Sequence, residues 1–148
     1  MTQAASDPTR GDAGSRQRSF KIDPDDCAWE PGKYNVTWED GKEYGRFARV
    51  LRRDAHGLTM IARFVAPPGK AWKIVGRAPE LGEEVYIMKG AYYDTDGRIV
   101  AREGTFMFNA PGALHGGIST DLTLFVHWCS GKPDEIVSAK LIDFEPKE

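Results

Sequence analysis

Several features that would assign a chain to a broad class are scarce or missing in this sequence. No apolar run approaches the roughly 20 residues needed to span a bilayer. The 20 basic and 22 acidic residues leave a net charge of -2, which gives no electrostatic reason to expect binding to nucleic acid or to an anionic membrane. The N-terminal segment lacks the apolar stretch of a secretory signal, so we expect a cytoplasmic protein.

Cysteine is also scarce. The chain has two cysteines, Cys27 and Cys129, and neither belongs to a Cys-x-x-Cys pair. In a chain that shows no export signal, isolated cysteines are more often thiols than disulfide partners. We therefore expect no disulfide between them.

The length of 148 residues fits a single domain that can bury a core. Residues 1–20 are polar and predict a disordered tail. Residues 21–46 are rich in Asp, Pro, Gly and Trp without a helical period, which predicts an irregular N-terminal arm. The remaining segment, 47–148, is expected to form the folded body.

Short β segments separated by turn residues dominate that body. The pattern predicts strands at 47–52, 58–65, 83–89, 91–93, 98–102, 105–109 and 122–129. Two segments stay open: part of 72–77 fits a helix, and 135–144 fits a strand or a short terminal helix. Six to eight short strands at this spacing indicate an all-β sandwich or barrel.

Two segments carry a family resemblance. Residues 76–90 read GRAPELGEEVYIMKG, with Glu83 followed seven positions later by Gly90. Residues 104–119 read GTFMFNAPGALHGGIS, with Gly104, Gly112 and His115 at spaced positions. In this order they resemble the first and second motifs of the cupin superfamily, and are most similar to the cupin domains of zinc-binding anti-sigma factors and of acetylacetone-dioxygenase-like cupins. The resemblance implies a single jelly-roll β-barrel, and a homodimer paired through edge strands.

The first motif departs from the family pattern, because its pair of alternating histidines is absent. One register puts Gly76 and Ala78 at those positions, and the other puts Arg77 and Pro79 there. The resemblance then leaves Glu83 and His115 as metal ligands, although a divalent ion usually needs three protein ligands. His127 is a candidate third ligand if its side chain faces the cavity. Glu80 or Glu84 could also substitute, whereas His56 lies in a polar turn.

Two kinds of site remain open on these residues. With Fe, Zn or Mn bound, the resemblance implies a dioxygenase acting on a dicarbonyl or related substrate. Without metal, Glu83 and His115 form an acid–base pair suited to an isomerase or cyclase. A binding or sensing barrel without turnover is the alternative to both. The candidate substrate-binding residues are Trp72, Arg77, Tyr86, Phe106, Phe108 and Trp128.

Overall fold

The computed structural model describes residues 19–147, and they form two antiparallel β-sheets. A short 3-10 helix, Pro24–Asp26, precedes the strands. The strands are β1 (Glu30–Pro31), β2 (Val36–Thr37), β3 (Glu43–Asp54), β4 (Gly57–Val65), β5 (Lys70–Arg77), β6 (Glu83–Lys89), β7 (Ala91–Tyr93), β8 (Ile99–Arg102), β9 (Phe106–Asn109), β10 (Leu114–Ser119), β11 (Asp121–Trp128) and β12 (Glu135–Asp143). The predicted all-β fold is confirmed. The predicted tail lies almost entirely outside the described residues.

The first sheet has the order β1-β3-β4-β11-β6-β9, with β2 paired to β3, and the second has the order β12-β5-β10-β7-β8. Apart from the pairs β2–β3, β3–β4 and β7–β8, neighbours in each sheet are not consecutive in sequence, as in a rolled-up barrel. The helical alternatives for 72–77 and 135–144 are wrong, because these segments pair with each other as β5 and β12. The strand β10 follows the second-motif turn, and the sequence pattern did not predict it.

The core lies between the sheets and follows strand alternation. Leu58, Met60 and Ala62 on β4 are buried, as are Leu122, Leu124, Val126 and Trp128 on β11. Because side chains two apart share a face, this pattern also fixes which residues of β11 face outward. The predicted N-terminal arm contributes β1 and β2, and its last residues already belong to β3.

The turn between β7 and β8 shows why the Asp-Thr-Asp-Gly sequence reverses the chain. The side chain of Asp94 accepts hydrogen bonds from the backbone N–H groups of Asp96 (2.9 Å) and Arg98 (3.0 Å). Gly97 has a φ of 82°, a conformation that costs glycine little. Within the part of the chain described, no helix has the length and apolar character needed to cross a membrane.

Candidate active site

A cavity of about 100 Å³ lies between the two sheets. Strands of both sheets contribute apolar walls, including Phe64, Ile74, Val85 and Leu124. The polar side chains that line it are those of Arg46, Glu83, Tyr92, Asn109, His115, Ser119, Trp128 and Asp134. An apolar chamber with a few convergent polar groups is typical of a small-molecule site.

Glu83 is the most buried acidic group of the cavity. It begins β6, and its side chain is 5% exposed. Its Oε2 accepts a hydrogen bond from Trp128 Nε1 (2.9 Å), and its Oε1 accepts one from Asn109 Nδ2 (2.8 Å). Asn109 is the cross-strand partner of Glu83 on β9. Two donors therefore fix the orientation of this carboxylate.

His115 faces Glu83 from the opposite sheet. It lies on β10 opposite Gly76 of β5. Its Nε2 lies 3.4 Å from Glu83 Oε1 and 3.5 Å from Asp134 Oδ2. That nitrogen is buried and makes no hydrogen bond within the described structure. A buried polar atom without a partner is costly, and such atoms often mark a functional group.

Asp134 is the acidic residue that the sequence analysis missed. It lies in the loop before β12, outside both motifs, and its side chain is 11% exposed. A Cβ atom on residue 76 would lie 2.5 Å from Asp134 Oδ2 and 3.4 Å from the His115 ring. The Asp134 carboxylate therefore occupies the space that a side chain at position 76 would need. The structure therefore agrees with the register that puts Gly76 and Ala78 at the histidine positions. In the other register Arg77 would take such a position, but its side chain points away from the cavity.

Burial shifts the pKa values of all three groups toward their neutral forms. It raises the pKa of Glu83 to about 7; the Asp134 charge adds to the rise, and the hydrogen bonds from Asn109 and Trp128 oppose it. Burial also raises the pKa of Asp134, against the opposing charges of His115 and Arg46. It lowers the pKa of His115, which the Asp134 charge counteracts. Together these residues form a crowded acid–base cluster at neutral pH.

The same three residues fit a divalent cation. Each offers one ligand atom, and these atoms lie within 4.8 Å of one another. Two ligands of a tetrahedral ion with bonds of about 2.1 Å lie about 3.4 Å apart, which matches both contacts of His115 Nε2. The partnerless imidazole nitrogen and the two carboxylates are a donor set suited to Fe, Mn or Zn.

The other candidate residues lie elsewhere. His127 faces away from the cavity, with its Nδ1 2.8 Å from Thr59 Oγ1. Glu80, Glu84 and His56 are exposed. Tyr86, Phe106 and Phe108 are 45%, 60% and 56% exposed on the outer face of the first sheet.

Two further predicted substrate-binding residues, Arg77 and Trp72, make contacts outside the cavity. Arg77 is half exposed, and its Nε lies 3.4 Å from Glu135. Trp72 is buried in the barrel interior, but it donates to the backbone oxygen of Val65 and does not line the cavity. Of the predicted substrate-binding residues, only Trp128 lines the cavity.

Known structures resemble this architecture. An RmlC-like cupin protein from Ralstonia eutropha JMP134 aligns with a TM-score of 0.56 and 12% identity, over 95% of this chain and 83% of its own. This chain has the cupin fold. An acetylacetone dioxygenase from Acinetobacter johnsonii aligns with a TM-score of 0.52 and 15% identity, over 85% of this chain and 86% of its own.

A third cupin neighbour is the polyketide cyclase RemF from Streptomyces resistomycificus, with a TM-score of 0.53 and 13% identity, over 86% of this chain and 88% of its own. The sequence matches no protein-family model and no curated protein. At these identities the likeness establishes the cupin fold and leaves the activity to be argued from the site.

Proposed function

We propose that the cupin cavity is the active site of a metal-dependent enzyme that acts on a small carbonyl compound. Glu83, His115 and Asp134 would hold the divalent ion. The observation that carries the proposal is the buried His115 Nε2, which has no hydrogen-bond partner and faces a carboxylate oxygen of each acid at 3.4 and 3.5 Å. A divalent cation between these three atoms would give the His115 nitrogen an interaction partner.

The chain supplies support for these ligands. Trp128 and Asn109 donate to Glu83 and hold its carboxylate in one orientation, as outer hydrogen bonds do at metal sites. Apolar side chains wall the same cavity, and low-polarity surroundings strengthen the interactions of charged groups. A bound divalent ion would supply Lewis acidity toward a carbonyl oxygen and, as Fe, access to oxygen chemistry.

Two reactions agree with the names of the structural neighbours. Oxygen-dependent cleavage of a dicarbonyl corresponds to the acetylacetone dioxygenase, and ring closure corresponds to the polyketide cyclase. Removal of a proton next to a carbonyl group would activate a small carbonyl substrate for either reaction.

A metal-free acid–base enzyme is the second candidate, and the pKa of Glu83 near 7 favours it. Glu83 would then exchange a proton with substrate, and His115 would act as its partner across the cavity. An isomerase or cyclase fits this arrangement. A barrel that binds a small molecule without turnover is the remaining alternative.

Metal content separates these candidates. Elemental mass spectrometry on protein purified without an affinity tag or chelator should find near-stoichiometric Fe, Mn or Zn. His115→Ala and Asp134→Asn should lose it. Oxygen uptake with acetylacetone then tests cleavage, and exchange of its α-hydrogens with deuterium at a rate above that in buffer alone tests proton removal. Wild-type protein that takes up no ion, even when Fe(II), Mn(II) or Zn(II) is added, would refute the metal-dependent proposal.

Glu83→Gln tests the acid–base alternative. This substitution should abolish proton exchange on a probe while leaving binding of the probe intact. A binding protein without turnover would show no exchange in wild type either. Metal content and proton exchange, measured on wild type and the variants, therefore distinguish a metal-dependent enzyme, a metal-free enzyme and a binding protein without turnover.

We also propose a homodimer. β9 is an edge strand of the first sheet and carries the exposed side chains of Phe106 and Phe108. Tyr86 lies opposite Phe106 on the neighbouring strand and is also exposed. Pairing two copies along this edge would cover the aromatic surface and satisfy the open strand edge. A cytoplasmic location is likewise proposed, and the exposed Cys129 thiol is compatible with a reducing compartment.

A further inference from the structure

Arg46 brings a positive charge into the cavity. It lies on β3 opposite Phe64 of β4, and both residues line the cavity. The alternation of β3 places Arg46 and the buried Ala48 on the inner face, whereas Arg49 faces outward. Neither motif contains Arg46, and the sequence analysis did not select it.

The Arg46 side chain makes no hydrogen bond or ion pair with the described residues, although its charge acts on Asp134 from a distance. Its Nε is buried and makes no hydrogen bond, and none of the described carboxylates lies within ion-pair distance of it. Arg49 Nε is likewise buried without a hydrogen bond, but the Arg49 charge is partnered: its Nη1 lies 3.0 Å from Asp25, and its guanidinium lies 4.3 Å from the centre of the Trp29 ring. A guanidinium is always charged and can only donate hydrogen bonds, so a buried one requires an acceptor.

The backbone of Arg46 is held firmly in place. Asn35 Oδ1 accepts a hydrogen bond from the Arg46 N–H (2.8 Å), and Asn35 Nδ2 donates to the Arg46 carbonyl oxygen (3.0 Å). The hydroxyl of the adjacent Tyr34 is also buried without a hydrogen-bond partner, and the charges of Arg46 and Asp134 both act on it. The Arg46 Nε and the Tyr34 hydroxyl are therefore two buried donors without an acceptor among the described residues.

The balance of charges in the cavity also favours a negatively charged ligand near Arg46. Carboxylates that bind a metal ion do so in the ionised form, so Glu83 and Asp134 together neutralise a divalent ion. Arg46 is then an uncompensated positive charge in the lining of an apolar chamber. Such a chamber favours a guest that carries one negative charge and an oxygen acceptor.

We propose that Arg46 forms an anion subsite and that the substrate carries a single carboxylate group, bound by the Arg46 guanidinium. This inference rests on the proposed enzyme function and adds a substrate class to it: a small monocarboxylic acid. The guanidinium fork matches a carboxylate with two parallel hydrogen bonds, which a neutral amide cannot provide.

Binding of matched acids and amides tests the subsite. The probes are propionate, isobutyrate and benzoate, each compared with its own amide by isothermal titration calorimetry at pH 7.5. Zinc-loaded wild type should bind at least one acid at least tenfold more tightly than the amide. Arg46→Met should remove that preference, Arg46→Lys should retain part of it, and Arg49→Met should leave it unchanged.

The outcomes separate this inference from the proposed function. Zinc uptake is measured on every variant, and the titrations are repeated on protein treated with EDTA. If zinc is not taken up but an Arg46-dependent preference for an acid persists, the metal proposal fails and the anion subsite stands. If no acid is preferred in either preparation, or if Arg46→Met preserves the preference, the subsite is refuted whatever the metal content.

Discussion

The Asp134 carboxylate and the missing side chain of Gly76 are spatial complements, because a Cβ atom at position 76 would lie 2.5 Å from Asp134 Oδ2. Gly76 pairs with His115 on one side and with Ile136 on the other, so it lies at the point where β10, β5 and β12 meet. A carboxylate from the loop before β12 reaches the site only because residue 76 has no side chain.

Gly76→Ala should therefore displace Asp134 and weaken metal binding. Gly76 has no positive φ, so alanine adds a steric conflict without backbone strain. We expect the affinity for Zn(II) to fall by more than about tenfold, as it should in Asp134→Asn. The double variant should lose little beyond either single one, since both changes remove the same ligand. Competition with a chromogenic chelator measures the affinities.

Lys73→Ala is the control for this series, because Lys73 is exposed on the same strand. Its zinc affinity should equal that of wild type. Gly76→Ala protein that binds zinc as wild type does would mean that Asp134 is not a ligand.

Trp128→Phe should weaken the same site through Glu83. It removes the Nε1 donor to Glu83 Oε2 while keeping most of the buried aromatic volume. Loss of such a supporting hydrogen bond lowers metal affinity by about 10–100-fold. Trp72→Phe is a matched control, because it also removes a buried indole donor, in this case to the Val65 backbone oxygen. It should reduce thermal stability but not zinc affinity.

The pH dependence of metal-free protein should reveal the buried Glu83. Its pKa is about 7 in the folded protein and 4.5 in an unfolded chain. The folded state thus holds the extra proton between these values. Its stabilising effect is complete below pH 4.5 and is lost as the pH rises through 7, by about 3 kcal/mol.

Glu83→Gln isolates this effect, because glutamine stays neutral and can still accept from Trp128 if the Asn109 amide rotates. The stability of wild type relative to Glu83→Gln should fall between pH 4.5 and 7.5 in urea denaturation with EDTA present. Parallel curves for the two proteins would show that folding does not raise the pKa of Glu83. His115 and Asp134 titrate in both proteins, so their contributions largely cancel.

Oligomeric state tests the aromatic edge. Phe106→Ser should convert a dimer to a monomer in sedimentation velocity, since Phe106 is 60% exposed on the edge strand β9. Val100→Ser is the control, because Val100 is 62% exposed on the second sheet. A wild-type monomer at micromolar concentration would refute the proposed dimer.

The orientation of two candidate side chains, Tyr86 and His127, could have been predicted from the sequence by strand alternation. Strand alternation requires that Tyr86 faces away from the cavity if Glu83 faces it, because the two are three positions apart. The structure has Glu83, Val85 and Ile87 buried and Tyr86 exposed. The same rule puts His127 outside once Trp128 is inside. The positions of these two side chains were therefore predictable from parity.

Asp134 and Arg46 were not predictable in this way. Asp134 reaches the cavity through the pairing of β12 with β5, which are distant in sequence, and Arg46 reaches it from the hairpin of β3 and β4. Nothing in the local pattern of a loop aspartate or a strand arginine distinguishes it from a surface residue. The absence of histidines at positions 76 and 78 was the one indication that any metal site would need a ligand from outside the two motifs.

The three proposed metal ligands come from distant parts of the chain and from both sheets. Glu83 is fixed by Trp128, forty-five positions later, and Asp134 depends on the docking of β12 against β5. A fragment that lacks the final strand would therefore contain Glu83 and His115 without a coordination site. An ion bound by all three residues would bind only the completely assembled barrel, so ion release and global unfolding would be a single thermodynamic event.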